Sequence, residues 1–207
     1  MSMTKARIRR RIVVCGLLFA LVGLSLVAAT GEMGSLESKV FDWIYSMPDS
    51  LRWFALLSTQ LGNAWVAVGL IGLLFIVRWS PYLSLLVFRN GLITYVVVEI
   101  MKFVVSRPRP VILLSDIASR EVAIFNNGGF PSGHTALATV LSLTLLPYLP
   151  RYLRWLPIAW IGSVAWSRIY LGVHAPLDVA GGFIIGLLIL LLADVIPWPS
   201  KKLSTKR

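Results

Sequence analysis

Residues 12–31 read IVVCGLLFALVGLSLVAATG, twenty consecutive residues without a charge. As a helix, a run of that length crosses the ~30 Å hydrocarbon layer of a bilayer. Lys5, Arg7, Arg9, Arg10 and Arg11 precede it. Val27-Ala28-Ala29 near its end looks like a signal-peptide cleavage site. The apolar stretch, however, exceeds the ~7–15 residues of a secretory signal core. The run is expected to stay in place as a first membrane span.

Five more apolar runs follow, at Trp53–Val77, Tyr82–Val104, His134–Leu149, Trp155–Val173 and Ala175–Trp198. Backbone facing lipid must satisfy its own hydrogen bonds, so each run is expected to be a helix. The expected fold is all-α: one polytopic membrane domain over residues 1–207 with six transmembrane helices. Two connections are long. Residues 30–53 form a first extracytoplasmic loop carrying an interfacial helix and a turn at Pro48, and residues 105–133 form a second.

Composition agrees with this reading. Hydrophobic residues make up 57% and charged residues 14%, against ~25% charged in ordinary soluble domains. Mean hydropathy is +0.79. That apolar content excludes a disordered chain. Cys15 is the single cysteine, which excludes an intrachain disulfide scaffold. The net charge of +11 would suggest nucleic acid as partner for a soluble chain. Here the basic residues sit in short clusters between apolar runs, with no zinc-finger or helix-turn-helix spacing. Neither nucleic acid nor an obligatory protein partner is expected; the bilayer is. Six spans put 13 of the 20 Lys and Arg residues on the side of the termini and 7 on the other. The positive-inside rule then places both termini in the cytoplasm of a plasma-type membrane.

Glu99, Lys102, Arg109, His134, Arg168, His174 and Asp178 fit an anchoring role poorly. All lie toward the outer ends of spans three to six, where charge is costly. His174 and Asp178 are four apart, so on a helix they share a face. A carboxylate there can hold one ring nitrogen and leave the other free to act as nucleophile or base. Lys102, Arg109 and Arg168 are three cations for which the sequence offers no obvious set of three acids. A phosphate would answer them, and arginine is suited to its oxygens. Pro131-Ser132-Gly133-His134 opens a helix, and a helix N-terminus is an anion site. Taken singly, each residue has an ordinary explanation. An arginine can snorkel, Ser132 can cap, His174 and Asp178 can lock two helices, and Glu99 can pair with Lys102 within one helix. Together they place both histidines and three cations at one level, as in an active site at the outer membrane surface.

These residues also carry a family resemblance. Lys102, six residues, then Arg109-Pro110 is a first motif; Pro131-Ser132-Gly133-His134 is a second; Ser167-Arg168, five residues, His174, three residues, Asp178 is a third. In that order they resemble the type 2 phosphatidic acid phosphatase superfamily, membrane lipid phosphatases related to vanadium haloperoxidases. All eleven fixed positions match. The resemblance implies an enzyme in which His174 is the nucleophile and forms a phosphohistidine. Asp178 orients it, and His134 donates a proton to the leaving lipid oxygen. Lys102, Arg109, Arg168, Ser132 and the Gly133 N–H hold the phosphoryl oxygens, with Glu99, Pro131 and Ser167 in support. No metal and no other cofactor is implied. The chemistry can run on fixed cations and N–H groups that stabilise equatorial charge.

The partner implied is a lipid phosphate of the outer leaflet. Undecaprenyl diphosphate comes first, as in small bacterial diphosphatases, followed by phosphatidylglycerophosphate, phosphatidic acid and lipid A phosphates. Asp116, Arg120, Glu121, Phe125 and Asn126-Asn127-Gly128, between two motifs, are candidates for headgroup choice. A phosphotransferase would need a second polar pocket. A transporter would need polar groups at several depths, and the cytoplasmic halves of the runs look almost wholly apolar.

Overall fold

The computed structural model describes residues 3–76, 81–114, 116–121 and 128–193. Arg78, Phe125, Asn126, Asn127, Trp198 and the basic tail Lys201–Arg207 lie outside the described residues. The described chain folds into α1 (Met3–Ala29), α2 (Ser35–Tyr45), α3 (Arg52–Gln60), α4 (Ala64–Ile76) and α5 (Pro81–Val105). A single turn, α6 (Pro110–Leu113), follows, then α7 (Gly133–Leu145), α8 (Leu156–Tyr170) and α9 (Pro176–Ala193). No strand occurs among the described residues.

Proline starts several of these helices. Pro81, Pro110 and Pro176 each open one, a position where the missing N–H would have had no partner anyway. α7 lies at the centre, between α5, α8 and α9. Its contact with α9 is built on glycine. A Cβ at Gly181 would overlap the Phe130 ring, one at Gly182 would overlap the Ser132 carbonyl, and one at Gly186 would lie 2.6 Å from Thr139 Cβ. Small residues let two helix backbones approach closely where apolar burial alone gives little preference between helices. Leu83, Val87 and Val98 of α5, Val140 and Leu141 of α7, and Ile185 and Ile189 of α9 fill the adjoining core.

The first long connection carries a helix, α2. Its apolar face is buried: Phe41 and Ile44 pack with Ala55, Ile169, Tyr170, Leu171 and Val173. α2 is thereby fixed to the end of α8. α1 runs antiparallel to α9. Arg10 donates to the Leu191 carbonyl at one end, and Ala28 packs with Val105 and Phe130 at the other.

Two features differ from the sequence expectation. The run Trp53–Val77 is not one straight helix, because α3 and α4 meet at a 58° bend. Gly62 lies at the break, where a Cβ would be 2.8 Å from His134 Cβ, His134 O and Val164 Cγ1. Asn63 Oδ1 accepts from Trp65 N at 3.3 Å and starts the next helix. Arg89, one of the 13 basic residues counted on the side of the termini, is buried two turns inside α5. Its Nε and Nη2 donate to Asn90 Oδ1, and Asn90 Nδ2 donates to Thr144 Oγ1 at 3.0 Å. The half of the bundle away from the histidines thus holds a polar cluster, where an almost wholly apolar interior was expected.

Among the described residues, three helices are long and apolar enough to cross a membrane, at Arg7–Ala29, Pro81–Leu113 and Pro176–Ala193. The bent pair makes a fourth if it counts as one span. α7 and α8, with 13 and 15 residues, rise only about 20 and 22 Å. Pro147 follows α7 and Pro157 begins α8, which keeps both short.

Candidate active site

The ends of four helices meet at the Ala28 end of the bundle. Lys102 is in the last turn of α5, and Arg107 and Arg109 lie just beyond it. Ser132 caps α7, followed by Gly133 and His134. Ser167 and Arg168 close α8, and Asp178 is in the first turn of α9. His174 lies in the link between those two helices.

Backbone contacts hold the three segments in register. Ser132 N donates to Asp178 O at 2.9 Å and His174 N to Arg168 O at 3.1 Å. Arg109 Nη1 donates to the Val173 carbonyl at 3.2 Å. A Cβ on Gly133 would lie 3.9 Å from Lys102 Nζ. The Lys102 ammonium therefore lies beside the start of α7, and the tighter neighbour of such a Cβ is Val98 Cγ1 at 3.3 Å. Arg168, His174, Lys102 and Arg109 all lie within electrostatic range of His134. His134, Gly133, Lys102 and Glu99 line a cavity of about 190 Å³ together with Asn63 and Tyr95. Pro131 follows Phe130 through a cis bond. The Ser167 hydroxyl donates to Val164 O at 2.8 Å within its own helix, and Ser132 Oγ accepts from Thr135 Oγ1 at 3.1 Å.

His174 and Asp178 are both buried, with Nδ1 3.4 Å from Asp178 Oδ2. That contact is longer than a good hydrogen bond, and Nδ1 has no other partner. Asp178 is held more firmly from elsewhere: Oδ2 accepts from Ala175 N at 2.8 Å and Oδ1 from Arg107 Nη1 at 3.0 Å. Burial, and then the charges of Arg109, Arg168 and Lys102, push the His174 imidazole well below its ordinary 6.5. It is held neutral, with a lone pair available.

The expectation that the cations lack acid partners is corrected. Lys102 Nζ pairs with Glu99 at 2.7 Å, one turn back on the same helix. Arg168 Nη1 pairs with Glu121 at 2.9 Å and donates to Thr59 Oγ1 at 2.6 Å. Buried cations require a counter-charge in any state of the protein. Here part of it comes from residues outside the motifs' fixed positions, Glu99 on α5 and Glu121 in the following loop. Arg168 Nε is nevertheless buried without a partner. Such a donor is costly to leave unpaired.

Several site neighbours escaped the sequence reading. Arg107, Glu37, Thr59 and Gly129 all border the motif residues, and Glu121, a candidate for headgroup choice, pairs with Arg168. A Cβ at Gly129 would sit 3.0 Å from Pro108 O and 3.3 Å from Asp178 Oδ2. The Gly128-Gly129 pair was the one available signal for close backbone approach. Arg120, a candidate for headgroup choice, is stacked between the Tyr45 and Tyr170 rings at 4.3 and 4.5 Å. It also donates to both of their carbonyls. It ties the loop before Glu121 to α2 and α8.

The family model for the PAP2 superfamily matches residues 81–202, which contain all three motifs. The chain belongs to the PAP2 superfamily. PAP2 relatives of similar length include an undecaprenyl-diphosphatase from Sulfolobus acidocaldarius, 26% identical over 172 residues. The alignment covers 82% of this chain and 83% of that protein. A putative undecaprenyl-diphosphatase of Escherichia coli, YbjG, is 27% identical, with 78% and 83% covered. Mouse sphingosine-1-phosphate phosphatase 1 is 30% identical over 79% of this chain and 37% of its own. Among solved structures, Aquifex aeolicus LpxE superposes with a TM-score of 0.70 at 27% identity, covering 78% of this chain and 96% of that one. A PAP2-type phosphatidylglycerolphosphate phosphatase from Bacillus subtilis shares the fold, with a TM-score of 0.65 at 23% identity over 86% and 94%. The protein is a PAP2 lipid phosphatase with membrane helices.

Proposed function

We propose that the chain hydrolyses undecaprenyl diphosphate, or a closely similar polyprenyl diphosphate, in the outer leaflet, through a phosphohistidine on His174. The supporting observation is the buried His174–Asp178 pair beside a cavity where Lys102, Gly133 and His134 meet. The two undecaprenyl-diphosphatase relatives support the choice of lipid.

In this reading the unprotonated His174 nitrogen attacks the terminal phosphorus. A nitrogen–phosphorus bond forms, and the bond to the bridging oxygen breaks. Lys102, Arg109, Arg168 and the Gly133 N–H balance the equatorial charge, and Ser132 supports them. His134 delivers a proton to the leaving lipid phosphate. It then takes one from the water that attacks the phosphohistidine, and inorganic phosphate leaves. Asp178 supports the positive charge that His174 gains. None of these steps calls on a metal.

The six-span topology belongs to the same proposal, with α3 and α4 as one bent crossing and both termini cytoplasmic. The 13-to-7 distribution of basic residues supports it. So does the meeting of Arg10 with Leu191, which brings the start of α1 and the end of α9 to one side, opposite the histidines.

The test is phosphate release from outer-leaflet lipids by detergent-solubilised protein in EDTA. Undecaprenyl diphosphate is expected to be turned over fastest, ahead of phosphatidylglycerophosphate and phosphatidic acid. A different ranking overturns the substrate, and activity lost to EDTA but restored by magnesium overturns the metal-free route. The pH profile gives a second check. Neutral His174 is the attacking form, and its pKa is lowered, so its competence persists as pH falls through 6.5 and is lost only lower. With substrate ionisation (phosphate second pKa ~6) corrected for, the acid limb of kcat/KM is expected below pH 6.5. An acid limb at or above that value contradicts the reading.

A further inference from the structure

Arg107 is among the largest fully buried side chains of the protein, and it lies outside the three motifs' fixed positions. Its Nη1 donates to Glu37 Oε1 and to Asp178 Oδ1, each at 3.0 Å. Its Nη2 donates to Glu37 Oε2 at 2.8 Å and to the Glu32 carbonyl at 2.7 Å. Glu37 Oε1 also accepts from the N–H of Leu177, the residue before Asp178, at 3.0 Å. One carboxylate on α2 therefore grips the guanidinium that grips Asp178, and the backbone that carries it.

We propose that Glu37 and Arg107 are positioning residues for the His174–Asp178 pair, and that Glu37 sets the net charge behind the nucleophile. This rests on the reading of His174 as nucleophile. Two carboxylates and one guanidinium leave one net negative charge behind the imidazole. Without Glu37, Arg107 would neutralise Asp178 completely. His174 becomes positive as its bond to phosphorus forms, so that negative charge counts for more in the transition state than in the ground state. It faces the imidazole and not the phosphate, which Lys102, Arg109 and Arg168 hold. α2 then has a role beyond lying at the interface: it delivers the counter-charge that frees Asp178 to serve the histidine.

A structural staple and an electrostatic support predict opposite results for a pair of variants. Glu37→Gln keeps the shape and removes the charge. Its kcat is expected to fall about 10- to 100-fold, as for other outer-shell partners of a reacting group, with KM within about threefold. Glu37→Asp retains the charge and is expected to recover part of that loss. The double variant Glu37→Gln with Arg107→Gln restores one net negative charge. Its kcat is expected to rise above that of Glu37→Gln alone. A mere staple loses a second arm in the double variant and falls further.

Measurements use solubilised full-length protein on undecaprenyl diphosphate, with melting temperatures taken alongside and His174→Ala in parallel. Overturning results are a kcat for Glu37→Gln within twofold of wild type, an equal fall in Glu37→Asp, a double variant slower than the single one, or failure of the variants to fold. If His174→Ala remains active, the nucleophile assignment fails instead. If His174→Ala is inactive and Glu37→Gln is unaffected, only the present inference fails.

Discussion

Replacing His174 with alanine is expected to lower kcat for lipid phosphate release by roughly 10⁴- to 10⁶-fold, the range seen when a nucleophile is deleted. At 10⁴-fold this is about 5.5 kcal/mol of transition-state stabilisation. The protein should still fold. His174 lies in the link between α8 and α9, and its ordering hydrogen bond to Arg168 O uses the backbone N–H, which alanine retains. Val173 keeps its packing in the core, and Ala175 N keeps its bond to Asp178 Oδ2. Loss of turnover without loss of folded protein is therefore the signature. A companion measurement uses substrate labelled in the terminal phosphate, quenched during turnover. Wild-type protein should carry the label at His174, and the variant should carry none. Turnover above about one part in a hundred of wild type would falsify the covalent route.

The second large effect is expected at Gly182, which touches no substrate in this reading. Its missing side chain is what allows α9 to lie against the start of α7. An added methyl group would overlap the Ser132 carbonyl and stand 3.2 Å from Ala136 N. Those are backbone atoms of a buried helix start, so they cannot swing aside. Gly182→Ala is expected to cost about 1–3 kcal/mol of stability, as for overpacking elsewhere, and to lower the melting temperature by roughly 3–10 °C. Activity should fall as well, because Ser132 N is bonded to Asp178 O and parting the helices separates the second motif from the third. Gly16→Ala is the control. A Cβ there meets nothing within 4 Å, and alanine is the better helix former. Equal behaviour of the two variants in thermal unfolding and phosphate release contradicts this account.

Much of the helical pattern could be read from the chain. The apolar runs fall where helices form, and α5 and α9 begin within one residue of the expected starts. A helix in the first loop is present as α2. The bend between α3 and α4 was not legible, because nothing local distinguishes Gly62 from the glycines of α1. Gly62 is special only because His134 and Val164 press on it. The motif residues were legible because their spacing is tied to helix geometry and to the order of segments. Their counter-ions were not. Glu37 lies 70 residues before Arg107, and Glu121 lies 47 residues before Arg168. No periodicity connects such pairs.

The sequence by itself therefore determined the apolar segments, their helical state, the charge asymmetry and the three family motifs. These depend on short-range geometry and on solvation of each stretch. The tertiary structure alone decided which charges far apart in the chain neutralise one another: Arg168 with Glu121, and Arg107 shared between Glu37 and Asp178, whereas Lys102 with Glu99, three apart on one helix, was open to sequence reading. The physical reason is that the cost of burying a charge is met through space. Its partner is whichever segment the packing of α2, α7 and α9 brings within about 3 Å.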